Sequence, residues 1–195
     1  MFGWREPDLP PFAILLAELL LRKTKADMVE RIFPKVLNLY PTPKAILGAN
    51  IESLTDLLRP LGLQAQRARA LYDVARHLEE RHGGEVPRTN AELLAIPHVG
   101  RYIANACLCF AFGHPVAVVD VNVMRVLGRV TASQVPKDNR RAEEIWQLAN
   151  ALIPHDRPRE FNFAMLDLGA TTCIGRLPRC TNCPIQELCR SSLRG

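Results

Sequence analysis

The chain has 195 residues, 48% of them hydrophobic and 23% charged, with a formal net charge of +5. That length can bury one substantial core or two small ones, and that apolar content excludes an intrinsically disordered chain. No apolar run reaches the ~20 residues needed to cross a bilayer, so no membrane role is expected. Twenty arginines against five lysines carry the positive charge. Guanidinium grips phosphate bidentately, so such a surface suits a polyanion without assigning one. The N-terminus has no basic region ahead of its apolar stretch, which itself carries Glu18. It does not read as a secretory signal, and a cytoplasmic location is expected.

The periodicity is helical almost throughout. Phe12, Leu15, Leu16, Leu19 and Leu20 mark one apolar face, and Val29, Ile32, Phe33, Val36 and Leu37 mark the next, closed by Tyr40-Pro41. Short helices fit 43–48 and 51–58, punctuated by Gly48 and Pro60. A long amphipathic helix fits 64–81 and stops at Gly83-Gly84. Thr89 reads as an N-cap over 91–95, with Glu92 completing a capping box. After Gly100 a helix should run to about Phe112, and others fit 122–130, 140–153 and 159–170. The run Pro115 to Val119 is β-branched but short and without a partner, so it reads as an extended connection. The class is all-α.

Cys173, Cys180, Cys183 and Cys189 fall within seventeen residues, spaced C-x6-C-x2-C-x5-C. Four thiolates at such spacing point to an iron–sulfur cluster, with zinc as the alternative. The tight Cys180–Cys183 pair suits one metal centre, and the wider outer gaps leave room for a bulkier group. Disulfides do not suit a cytosolic chain. Cys107 and Cys109 sit in an apolar run and read as small buried hydrophobes.

Between two helices lies Ile96-Pro97-His98-Val99-Gly100-Arg101. Such a turn presents the N–H groups of a helix N-terminus, which hold a phosphate without reading a base. Gly100 would permit close approach. The run resembles the hairpin of the helix-hairpin-helix motif, which has a glycine where His98 stands; if φ is positive there, His adopts it at a cost of about 1 kcal/mol. His98 could offset that by touching phosphate itself, or be merely a tolerated exposed residue. Downstream, Asp120 follows four apolar residues and precedes a helix. Alone it would be read as a helix cap.

Taken together, the hairpin, the Gly113-His114-Pro115 loop, Asp120 and the four-cysteine tail resemble the helix-hairpin-helix-GPD superfamily of DNA glycosylases, in its iron–sulfur branch. Glu18 to Thr24 resembles the segment bearing a first catalytic acid and a DNA-wedging loop. Leu61-Gly62-Leu63 with Arg67-Ala68 resembles a second DNA-probing loop. Val119 to Val126 resembles the catalytic Asp and its helix. Phe161-Asn162-Phe163 through Leu166 to Ala170 resembles the run into the cluster. The resemblance implies a six-helix barrel over 12–127 with the helix-hairpin-helix. It also implies a cluster domain of 1–11 and 128–195, smaller than in relatives for want of their N-terminal helix, and a cleft between the two.

It further implies a four-iron four-sulfur (4Fe–4S) cofactor on Cys173, Cys180, Cys183 and Cys189. Asp120 would act at the sugar and Glu18 at the base, with Tyr102 beside the base pocket. DNA contacts are expected from Arg22, Lys23, Thr24, Leu63, His98, Val99, Gly100, Arg101, Asn122, Arg176 and Arg179, with Arg190 near them. The partner would be double-stranded DNA with a mismatched or damaged base, met by a monomer.

Endonuclease III-like members carry a lysine at the position of Tyr102, and that amine forms a Schiff base. A phenol cannot, and no lysine occurs between Lys44 and Lys137. A monofunctional glycosylase without strong AP-lyase activity is therefore expected. Tyrosine here is similar to two subgroups, the thymine-DNA mismatch and the mismatch adenine glycosylases. Adenine glycosylases usually show Gln-Gln-Thr where this chain has Arg22-Lys23-Thr24, and carry a C-terminal domain beyond the cysteines. Both differences favour thymine or uracil opposite guanine, with Lys23 near the widowed guanine or simply on a phosphate. The rival readings are an adenine glycosylase, an endonuclease III-like lyase, a non-catalytic cluster-containing DNA-binding module, and a zinc-stapled helical interaction domain.

Overall fold

In the computed structural model, which describes residues 2–133 and 142–192, the most apolar segment becomes the centre of its unit. Helix α1 (Pro11–Leu21) is buried from Phe12 through Leu20, with no solvent face. The single apolar face expected there is thus a correction. Helices α2 (Ala26–Leu39), α5 (Gln64–His82) and α7 (Arg101–Phe112) all pack on α1, so every side of it is covered. Glu18 goes inside with the rest, at 3% exposure. Burial, then the charge of Glu18, push the Cys107 thiol well above its ordinary value. Cys107 and Cys109 are indeed buried core residues.

The chain divides into two compact units, Met1–Phe112 and Gly113–Gly195. This division differs from the expected one at 127/128, with residues 1–11 in the second body. The start of the chain packs on α2 instead. Trp4 meets the edge of Phe33 at 5.9 Å between ring centroids, and the Gly3 N–H donates to the Glu30 carboxylate at 3.0 Å.

The remaining helices of the first unit start and stop where their caps dictate. Thr42 caps α3 (Pro43–Leu47), its hydroxyl accepting from the Ala45 N–H at 3.2 Å. Asn50 caps α4 (Ile51–Leu58) through the N–H groups of Glu52 and Ser53. Helix α5 ends on Gly83 and Gly84, at φ 59° and 85°, a conformation few other residues adopt without strain. Thr89 caps α6 (Asn90–Ala95) by accepting from the Glu92 N–H, as expected.

The second unit holds α8 (Val121–Thr131), α9 (Glu143–Ala151) and α10 (Pro158–Asp167), the last running into a π-helical turn, Leu168–Thr172. Residues 140 and 141 of the expected helix 140–153 lie outside the described residues, as does Lys137. No strand occurs among the described residues. The run 115–119 forms neither helix nor strand, in line with a connection, and two asparagines take up part of its backbone. The Ala117 N–H donates to Asn150 Oδ1 at 2.8 Å, and the Val118 N–H to Asn162 Oδ1 at 2.8 Å. Asn162 Nδ2 donates to the carbonyls of Val116 (3.0 Å) and Pro158 (2.9 Å). Val119, Val123, Met124, Leu127 and Trp146 form the core beneath.

Asn162 is 2% exposed. Asn162→Ala should therefore strand buried backbone groups and lower stability by about 3 kcal/mol, read from the urea midpoint. Asn150→Ala, which releases one N–H, should cost less.

Candidate functional site

In the first unit the hairpin stands between α6 and α7. Ile96 and Val99 turn inward, at 2% and 7% exposure. Val99 can therefore meet an outside ligand only through its backbone. His98 takes φ 65°, the left-handed conformation foreseen if glycine was the natural choice. Its ring Nε2 lies 3.0 Å from Asp73 Oδ2 on α5, and the side chain stays partly exposed. Beyond it, the α-carbon of Gly100 faces open space. Helix α7 begins at Arg101, directly after it. The side chains of Arg101 and Tyr102 are half-buried.

A cavity of about 340 Å³ lies beside this hairpin, lined by Arg22, Lys23, Leu63, Gln66, Arg69 and His98 among others. It brings together four of the expected DNA contacts. Arg22 and Lys23 are exposed, and Leu63 is 50% exposed on its loop tip. Thr24 differs: its hydroxyl is engaged by the protein, accepting from Arg67 Nη2 and directed at the Leu61 carbonyl at 3.4 Å. Arg67 itself is 7% exposed. Burial, then the charge of Arg22, lower its guanidinium from the ordinary value.

In the second unit Asp120 is half-buried at the start of α8. Its Oδ1 accepts from the N–H groups of Asn122 (2.8 Å) and Val123 (2.7 Å), so it does cap the helix. Oδ2 accepts from Asn122 Nδ2 at 2.7 Å. Asn122 Oδ1 in turn accepts from Arg125 Nη2 at 2.9 Å. Arg125 also donates from Nε to the Cys173 carbonyl at 2.8 Å and from Nη2 to the Gly169 carbonyl at 2.7 Å. The π-helical turn presses against α8 closely enough that a Cβ on Gly169 would lie 2.7 Å from that of Asn122. Only glycine fits there.

The four tail cysteines are free thiols, half-buried, and line one cavity of about 100 Å³ with Arg129 and Arg179. Among the described residues no three His, Cys, Asp or Glu side chains form a ready-made ion site. Arg129 Nη1 donates to the Ile174 carbonyl at 2.7 Å and lies 3.4 Å from Cys173 Sγ. Cys189 Sγ lies 3.6 Å from the Arg129 carbonyl. That carbonyl and the one of Val130 sit at the end of α8, where the helix offers few further donors; the Ala132 N–H reaches the first at 3.3 Å. The N–H groups of Ser191 and Arg190 donate to them at 3.2 and 3.0 Å. Arg176, Arg179 and Arg190 are exposed around this tail.

The sequence gives no sign of Arg129, Asn150 or Asp73, and it places Arg67, Arg125 and Gly169 only inside longer resembling runs, without the contacts they make. Each works on a backbone group or a distant side chain, for which local spacing carries no signal.

A family model described as "HhH-GPD superfamily base excision DNA repair protein" matches residues 16–151. The thymine-DNA glycosylase of Aeropyrum pernix is 39% identical over 193 residues, covering 94% of this chain and 86% of that protein. The adenine DNA glycosylase of Schizosaccharomyces pombe is 36% identical over 191 residues, covering 96% of this chain but 41% of that protein. Among solved structures, that of a thermostable thymine-DNA glycosylase superposes with a TM-score of 0.94 at 34% identity. It covers all of this chain and 89% of the other.

The His98 geometry makes a direct prediction. His98→Ala keeps the left-handed backbone and loses the Asp73 contact, whereas His98→Gly removes the strain. The alanine variant should be less stable than the glycine variant by about 1 kcal/mol in chemical denaturation.

Proposed function

This chain belongs to the HhH-GPD superfamily of base excision DNA repair proteins, and we propose that it acts as a monofunctional DNA glycosylase on thymine or uracil opposite guanine. The observation that carries the reading is the thymine-DNA glycosylase relative, which matches 94% of this chain and is itself 86% spanned. The loop residues agree. Arg22-Lys23-Thr24 replaces the run usual in adenine glycosylases, and Lys23 is exposed at the edge of a basic cavity. A cation there suits guanine, whose O6 and N7 both accept.

The proposed chemistry is hydrolysis at C1′. The C1′–N1 bond breaks, the pyrimidine leaves with the electron pair, and water supplies the hydroxyl that replaces it. Asp120 would stabilise the positive charge developing on the sugar, by facing it or by orienting that water. Asn122 and the N–H of Val123 hold the carboxylate in one orientation for that task. Glu18 would supply a proton or hydrogen bond to the departing base. Its burial fits a group kept from bulk water. Tyr102 would border the flipped base, and its phenol offers no amine for strand cleavage. Extruding a mismatched base costs only a few kcal/mol, less than a paired one, so selectivity begins before bond cleavage. The α7 N-terminus at Gly100 and Arg101 would hold one phosphate.

Cys173, Cys180, Cys183 and Cys189 would hold a 4Fe–4S cluster. Four soft donors around one cavity fit that group, and Arg129 beside Cys173 Sγ fits a tuned thiolate. When bound, the group supplies cross-links that order the tail. Arg176, Arg179 and Arg190 would then present their charges to phosphates, each contact adding about 0.9 to the salt slope.

Duplexes containing G:T, G:U, G:A, 8-oxoguanine:A and thymine glycol test the assignment, each treated with and without alkali after incubation. Release is expected from G:T and G:U, with strand breaks only after alkali. Preferential release of adenine would overturn it. Asp120→Asn should abolish release while duplex binding persists; an unchanged rate would remove Asp120 from the chemistry, and binding with no release even by the parent would point to a pure binding module. Tyr102→Lys should give a borohydride-trapped adduct that the parent lacks. Iron and acid-labile sulfide should be found in the purified protein and be lost in Cys183→Ser, whereas zinc in their place would reject the cluster.

A further inference from the structure

Three residues on the rim of the first unit's basic cavity share an unusual backbone. Lys23 (φ 53°), Leu63 (φ 51°) and His98 (φ 65°) are all left-handed and none is glycine. Such residues cost about 1–3 kcal/mol each and persist where the surroundings fix them. One buried side chain fixes two of them. Arg67 Nη2 donates to the carbonyl of Arg22, which precedes Lys23, at 2.7 Å. Arg67 Nε donates to the carbonyl of Gly62, which precedes Leu63, at 2.8 Å. Nη1 reaches the carbonyls of Leu20 at 3.0 Å and Leu19 at 3.4 Å, near the end of α1. Arg22 extends the set to the third residue, its Nη1 lying 3.4 Å from the His98 carbonyl.

We propose that Arg67 is a positioning residue that locks the Lys23 and Leu63 tips to each other, so that they enter DNA as one rigid wedge. This rests on the glycosylase reading above. Loose tips would have to be ordered while the base is being extruded, and that ordering would slow the step. Only a guanidinium can serve these carbonyls together, because its donors point along fixed, divergent directions. A lysine keeps the charge but concentrates its donors on one nitrogen. Arg67 is also buried deeply enough that these acceptors, more than water, hold the cation.

The informative variant is Arg67→Lys, compared with the parent by amide hydrogen exchange on the free protein and by single-turnover thymine release from a G:T duplex. Peptides covering 22–25 and 61–64 should exchange faster together, with protection in α3 and α7 unchanged. Thymine release should fall by about 100-fold, while affinity for a fully paired duplex stays within about threefold. A residue that merely stabilised the fold would lower both together. Arg81→Ala, an exposed arginine near the end of the same helix, should change neither. Full-rate release by Arg67→Lys, faster exchange in one loop alone, or a parallel loss of affinity overturns the proposal. If Arg67→Lys does not melt cooperatively, Thr24→Val replaces it, removing an Arg67 acceptor and the contact to Leu61. The same outcomes then decide. If the parent releases neither thymine nor uracil, the proposed function fails, and the exchange arm alone decides the role of Arg67.

Discussion

Two guanidinium groups on one helix organise the second unit. Arg125 and Arg129, four residues apart on α8, face the same way and together take the carbonyls of Gly169, Cys173, Ile174 and Gly175. Those carbonyls belong to the π-helical turn and to the loop that opens the cysteine cavity. The helix that carries Asp120 at its first turn is thus also the mount of the first cysteine. Asn122 closes the series, bonded to Asp120 on one side and Arg125 on the other. A lysine at either arginine could reach one or two of these acceptors but not the spread of them. Order in the tail and orientation of the carboxylate are therefore set by the same few contacts.

The first unit uses a related device. Helix α1 is buried all round, so its last carbonyls cannot turn to water, and Arg67 collects them. At the end of α8 the tail backbone does the same for Arg129 and Val130. Both answer one problem: a helix end inside protein leaves acceptors that must find donors. Part of the arginine excess thus serves carbonyls of the chain itself. Arg67, Arg125 and Arg129 are spoken for in this way, while Arg22, Arg69, Arg176, Arg179 and Arg190 stand at the surface or on the cavity rim.

Helix positions were legible because their signals are local. Glycine pairs, Thr89 with Glu92, and apolar spacing each act within one turn, and the helices begin and end within a few residues of the expected points. The hairpin backbone was legible too, down to the left-handed His98. Its side chain was not, since Asp73 lies 25 residues away. The burial of α1 on every side escaped for a similar reason. Its apolar residues mark one face, and that the others are covered too follows only from the packing of α2, α5 and α7. The four cysteines announced themselves by spacing, whereas Gly169 did not. The need for a missing side chain there arises only from the approach of Asn122.

Asn150 and Asn162 carry one more implication. Val116 to Val119 is short, uncharged and β-branched, the composition that in other settings recruits a neighbouring chain edge to edge. Here two amide side chains occupy the donors and acceptors that such recruitment would need. Amides end the ladder, because nothing beyond them repeats. Native molecules thus offer no template for self-association along this run, and vulnerability is confined to the interval before both asparagines have docked. For this run, crowded refolding, more than storage of the folded protein, is the condition that leaves its edges open.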